Sequence, residues 1–113
     1  MKSRIDHIAI KVDNLEKAEK WYLENVGGEV TFRDKKYLRL QLENTVIALI
    51  DKNFYPWEHV SIWVESKDEL PHEMGKTINH RDGSVGVYVK DPFGNYLEYI
   101  WYNKELREQF YND

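Results

Sequence analysis

Asp6-His7-Ile8-Ala9-Ile10-Lys11-Val12 returns later in the chain as Glu58-His59-Val60-Ser61-Ile62-Trp63-Val64. Position by position the pattern is acid, histidine, β-branched aliphatic, small residue, Ile, variable residue, Val. The offset, 59 − 7 = 52, is close to half of the 113 residues. A register held over a whole segment at that spacing marks an internal duplication. Both copies alternate. His7, Ala9 and Lys11 share one face of a strand, and Ile8, Ile10 and Val12 the other. His59, Ser61 and Trp63 repeat the first face, and Val60, Ile62 and Val64 the second. A lone histidine on such a face is usually solvated. Two at equivalent places of a duplicated strand point instead to a shared role.

The residues around each copy predict the same unit twice. Asp13-Asn14-Leu15-Glu16 fits a capping box, with Asp13 accepting from the free backbone N–H groups and Glu16 reaching back. The helix then runs to about Asn25, with Leu15, Ala18, Trp21, Tyr22 and Val26 as its apolar stripe and Gly27-Gly28 as its stop. Strands follow at Glu29–Arg33, Tyr37–Leu42 and Thr45–Asp51. In the second half, Ser66-Lys67-Asp68-Glu69 is another capping box. It opens a short helix to about Met74 that Pro71 restricts, leaving it late to start or partly 3₁₀. Strands are expected near Thr77–His80, Val85–Lys90 and Asn95–Tyr102, with Asp91-Pro92-Phe93-Gly94 as a turn. Lys104–Tyr111 reads as a terminal helix or arm. The expected fold is α+β: one domain over 1-113, with two β-α-β-β-β modules at about 4-52 and 57-103 forming a cupped, eight-stranded mixed sheet.

Composition narrows the function. Hydrophobic residues make up 42% of the chain, with four Trp and eight Tyr, which is enough for a core at this length. The net charge of −4 comes from interspersed acids and bases, and no basic stripe is present, so nucleic acid is not an expected partner. There is no cysteine, which removes disulfides, thiolate metal sites and a cysteine nucleophile. No apolar run approaches the ~20 residues of a membrane span. No leader-like apolar segment opens the sequence, so a cytoplasmic location is expected.

Glu98 is the third conspicuous residue. It lies between Tyr96 and Ile100 on one face of an aromatic strand, with Leu97, Tyr99 and Trp101 on the other. A lone carboxylate buried there costs on the order of several kcal/mol unless a cation neutralises it. A salt bridge or an exposed edge position explains it equally well. Two His and one Glu form a facial set with open positions for water or substrate, suited to Zn, Mn, Fe or Ni. Aligning the two halves places Ile47 opposite Glu98, or Ala48 after a shift of one residue. Neither ligates metal, so the chain would supply three ligands.

Together, Asp6-His7-Ile8-Ala9-Ile10 with Asp13-Asn14-Leu15-Glu16-Lys17-Ala18, and Tyr88-Val89-Lys90-Asp91-Pro92-Phe93-Gly94-Asn95-Tyr96-Leu97-Glu98, resemble the vicinal oxygen chelate superfamily. That group includes glyoxalase I, extradiol dioxygenases, methylmalonyl-CoA epimerase, fosfomycin-resistance thiol transferases and bleomycin-binding proteins. The resemblance spans nearly the whole chain. It implies one divalent metal held by His7, His59 and Glu98, and a small-molecule substrate offering two chelating oxygens; the candidate bases are Glu98 itself, displaced from the metal, or a metal-bound hydroxide. It implies a homodimer as well. The fourth ligand of glyoxalase I falls at Ile47 or Ala48, which points toward three-ligand branches. The resemblance to the thiol transferases places Arg107 at an arginine position nine residues after Glu98 (98 + 9), although a solvated arm is the expected role. His80 and Tyr88 are candidates for the accessory His and Tyr of the dioxygenases. The alternative is a metal-free drug-binding protein whose cup holds planar molecules through Trp63, Tyr96 and Tyr102.

Overall fold

The structure is a computed structural model and describes residues 3–111. The chain runs β1 (Arg4–Val12), α1 (Leu15–Asn25), β2 (Glu29–Arg33), β3 (Tyr37–Gln41), β4 (Val46–Asp51), β5 (His59–Trp63), two short 3₁₀ helices (Lys67–Glu69 and His72–Met74), β6 (Lys76–Asn79), β7 (Val85–Lys90), β8 (Tyr96–Trp101) and α2 (Lys104–Tyr111). The eight strands belong to one mixed sheet. Two compact units divide the chain within β5. Ile5–Val60 is one, and the chain from Ser61 on, with Arg4, is the other.

In the first unit the strand order is β2-β3-β4-β1. β1 and β4 are parallel, with His7 beside Val46 and Ala9 beside Ala48, while β2, β3 and β4 form an antiparallel meander. The two faces of β1 part as the alternation predicts. Ile10 and Val12 pack on the buried cluster Leu38, Leu40 and Leu49, together with Leu15, Ala18 and Tyr22 of α1. Ala9 packs on the opposite face with Ala48, Ile50 and Tyr37.

Two details of α1 differ from the expectation. Its N-cap is Asn14, whose Oδ1 accepts from the Lys17 N–H at 2.9 Å, and not Asp13. Asp13 turns instead to Lys52, with Nζ 2.8 Å from Oδ1. The apolar stripe is also narrower, because Trp21 and Val26 are exposed. Gly28 ends the segment at φ +90°, and a Cβ there would stand 2.7 Å from the Gln41 carbonyl oxygen, so both conformation and space require glycine.

In the second unit the order is β5-β8-β7-β6. β7 pairs antiparallel with both neighbours, placing Tyr88 opposite Glu98 and Gly86 between Ile78 and Ile100. Val64, Leu70, Val85, Val87 and Val89 are buried together on one face. Trp63, Ile100 and Tyr102 form a second buried cluster. The capping box at Ser66 and Glu69 is present, but it starts a single 3₁₀ turn. Pro71 splits the expected helix in two. β6 stops at Asn79, so His80 begins the β6–β7 turn, in which its N–H donates to the Ser84 carbonyl at 2.9 Å.

Candidate metal centre

His7 and His59 both lie in the first unit. Their rings meet edge to face, with centroids 5.6 Å apart and planes at 75°. Each imidazole is oriented through Nδ1. His7 Nδ1 is 2.7 Å from Oδ2 of Asp6, whose carboxylate is buried. His59 Nδ1 is 3.0 Å from the Trp57 carbonyl oxygen. A carbonyl and an ionised carboxylate only accept, so Nδ1 carries the hydrogen in both rings, and in the neutral imidazole the lone pair is then on Nε2. A hydrogen bond of this kind, from the nitrogen away from the ion to a carboxylate or carbonyl, fixes the tautomer of metal-ligating histidines.

Glu98 lies in the second unit and is 1% exposed. Ser61 Oγ donates to its Oε1 at 3.1 Å, and His80 Nε2 lies 2.7 Å from its Oε2. The hydrogen bond to Glu98 holds the His80 imidazole above the ordinary histidine range, against the opposing effect of burial; the charges of Glu98 and Asp82 also raise it, and Arg81 lowers it. A carboxylate offers about four lone-pair sites.

His7 and His59 of the first unit and Glu98 of the second are each of a residue type that ligates metal ions. Two imidazole nitrogens and a carboxylate oxygen match the donors of three-ligand sites for Zn and related divalent ions.

The other candidate residues fall in different places. Trp63 and Tyr102 are buried core residues of the second unit, and Tyr96 is half-buried with Lys90 Nζ 5.8 Å from its ring centroid. Arg107 is not a solvated arm. It donates to the Glu65 carbonyl at 2.8 Å, and its guanidinium sits 5.1 Å from the centroid of the Trp63 ring, with that of Arg4 at 4.1 Å. Asp6, Ser61 and the carbonyl of Trp57 escaped the sequence reading as orienting groups. The Asp-His dipeptide was a usable signal for the first and the His59 face for the second, whereas a main-chain carbonyl leaves none.

No family model matches the sequence, and neither does any curated protein. Solved structures do match. A hypothetical protein, BH1468 from Bacillus halodurans C-125, superposes with a TM-score of 0.74 at 14% identity, over 92% of this chain and 97% of that one. Methylmalonyl-CoA epimerase from Mycobacterium tuberculosis gives 0.72 at 16% identity, over 90% and 89%. A glyoxalase/bleomycin resistance protein/dioxygenase superfamily member from Vibrio splendidus 12B01 gives 0.66 at 11% identity, over 89% and 100%. The fold of this chain is therefore the one shared by that superfamily member and the epimerase.

Proposed function

We propose that the protein is a small metal-dependent enzyme acting on a small substrate that presents two oxygens for chelation. The observation that carries this reading is the paired orientation of the histidines: both hold Nδ1–H into an acceptor, so both keep Nε2 as the electron-pair donor. Glu98 adds a buried carboxylate. Chain connectivity supports its membership. His59 and Ser61 are two residues apart on one face of β5, a step of roughly 7 Å, and Ser61 is hydrogen-bonded to Glu98.

When bound, a divalent ion would act as a Lewis acid toward the substrate oxygens. The protein's part is to present three ligands and leave the remaining positions open. Asp6 strengthens His7 as a donor by accepting its Nδ1–H. Ser61 and His80 hold the two oxygens of Glu98. Glu98 is also assigned as the base, taking a substrate proton on a carboxylate oxygen. The reading includes a cytoplasmic homodimer, and sedimentation at micromolar concentration giving only the 13.6 kDa chain would remove that part.

Metal analysis of untagged protein tests the core of the proposal. About one ion per chain is expected, at once or after adding Zn, Mn, Ni or Fe(II). A stoichiometry far below one that none of these ions restores would overturn it. Retained Fe(II) would direct the substrate search to O₂ chemistry, whereas Zn, Ni or Mn would direct it to proton transfer or addition.

A further inference from the structure

We propose that Gly86 and His80 are positioning residues for the Glu98 carboxylate, a role that rests on the metal-site reading and deepens it. The pleat of three strands gives the geometry. Ile78, Gly86 and Ile100 stand side by side on β6, β7 and β8. His80 lies two residues beyond Ile78, and Glu98 two residues before Ile100. In an antiparallel sheet these offsets run in opposite directions along β7, so His80 and Glu98 face each other diagonally across Gly86. They meet there, with Nε2 2.7 Å from Oε2.

Gly86 is what lets them meet. A Cβ at this position would stand 2.3 Å from Glu98 Oε2 and 2.8 Å from His80 Nε2, beside their contact and too close to both groups. Gly86 has no positive φ; among the described residues the glycines that do are Gly27, Gly28, Gly83 and Gly94. The requirement at residue 86 is therefore for space and not for backbone freedom.

His80 is fixed from behind. Its N–H donates to the Ser84 carbonyl, and its own carbonyl accepts from the Gly83 N–H at 3.0 Å, closing a tight turn. The ring thus arrives at Glu98 from a turn whose backbone is already hydrogen-bonded. Ser61 Oγ holds the other oxygen. With both oxygens held, the carboxylate keeps a single orientation, so little rotamer entropy is lost when an ion is captured. Partners of this kind are worth about 10–100-fold in metal affinity.

The test uses the full chain and Zn(II), titrated against a chromophoric chelator, with wild type, His80→Ala, His80→Gln and Gly86→Ala compared. Circular dichroism checks that each variant folds, and His80→Ala carries the test if Gly86→Ala does not. Affinity should fall about 10–100-fold in His80→Ala and Gly86→Ala. Most of it should return in His80→Gln, whose amide N–H reaches the same oxygen. Affinities within twofold of wild type in both damaging variants, or no recovery with Gln, would overturn the role. A second readout needs no metal. In ¹⁵N-histidine spectra of the metal-free protein, the His80 Nε2 proton should be protected and shifted downfield, and Glu98→Gln and Gly86→Ala should abolish that signal. If wild type binds no Zn(II), the metal reading fails by itself. The His80–Glu98 contact is then judged on this proton, and its absence from wild type overturns the contact too.

Discussion

Replacing Glu98 separates ligation from support. In the metal-free protein, Glu98→Gln keeps the shape of the side chain. The amide oxygen can still accept from Ser61 Oγ. The amide N–H can donate to His80 Nε2 once the imidazole moves its proton to Nδ1. What is lost is the charge assistance of the His80 contact, about 0.5–1.5 kcal/mol from the difference between charged and neutral hydrogen bonds. What is gained is relief from burying a charge on a side chain that is 1% exposed. The two effects oppose, so stability should change by no more than about 1 kcal/mol. Glu98→Ala behaves differently. It strands Ser61 Oγ, on a residue that is 0% exposed, and His80 Nε2. At about 1–3 kcal/mol for each unsatisfied group, plus lost packing, the cost should reach about 3–5 kcal/mol.

Metal binding should not separate the two variants in this way. Gln removes the anion from the ligand set, so Glu98→Gln should lose at least about 100-fold in Zn(II) affinity, or ~2.7 kcal/mol, nearly as much as Glu98→Ala. Urea unfolding in EDTA, followed by tryptophan fluorescence, gives the stability of each variant, and chelator competition gives the affinity. The reasoning fails if Glu98→Gln destabilises the metal-free protein as much as Glu98→Ala does. The carboxylate would then be a structural partner of His80. It fails equally if Glu98→Gln keeps wild-type affinity.

Asp6→Asn leaves an acceptor for His7 Nδ1–H but removes its charge, so Zn(II) affinity should fall about 10-fold or more; Glu58→Gln should leave it near wild type, because Glu58 Oε2 accepts from the Lys11 N–H at 3.2 Å instead. Equal losses in the two variants would count against the assignment. Leu49→Ala empties a fully buried place among Leu38 and Leu40 and should cost about 2–5 kcal/mol, read as the midpoint shift in urea; a loss under about 1 kcal/mol would mean the cluster is not a core. Asp91 accepts from the Phe93 and Asn95 N–H groups at 2.8 and 2.9 Å, and the hydrogen bonds from Asn95 hold its carboxyl below the ordinary value of 3.8. A lowered folded-state value stabilises above 3.8 and ceases to do so as pH falls through it. The stability gap between wild type and Asp91→Ala should thus be constant near neutrality and close in acid; a gap that stays open down to pH ~2 would contradict this.

The sequence was most legible where a period or a repeat was at work. β2 and β7 have the expected bounds, and β4 and β8 lie within one residue of them, because apolar alternation is forced by a sheet with a buried face. His7 and His59 stood out because the duplicated motif repeats them. The misreadings share a cause, which is competition among nearby groups of similar chemistry. Asp13 and Asn14 can both cap a helix. Asn14 does so, and Asp13 pairs with Lys52, 39 residues on (52 − 13). Trp21 fits the apolar period of α1, yet the face that packs needs only Leu15, Ala18 and Tyr22. Arg107 docks on Trp63 and the carbonyl of Glu65, more than 40 residues earlier, and no local pattern announces that. Gly86 was silent for a related reason, since the space it leaves matters only once His80 and Glu98 are known to meet.

The two halves also treat equivalent positions of the duplicated strand pair differently. In the first unit Ala9 lies beside Ala48 on the His7 face, and both pack in an apolar cluster with Ile50. In the second unit Ser61 occupies the place of Ala9, two residues after its histidine, and bonds to Glu98. This favours Ala48 over Ile47 as the counterpart of Glu98, because Ile47 packs on the opposite face with Leu38, Leu40 and Leu49. The same two positions are therefore apolar in one half and polar in the other. The histidines were kept in both halves, but they are oriented by different means: a side-chain carboxylate for His7 and a main-chain carbonyl for His59. A fourth ligand at residue 48 would have to displace methyl groups from a packed cluster and bring its own orienting partners, as Glu98 has in Ser61 and His80. That double requirement gives a physical reason why, under the proposed function, residue 48 would add no fourth ligand.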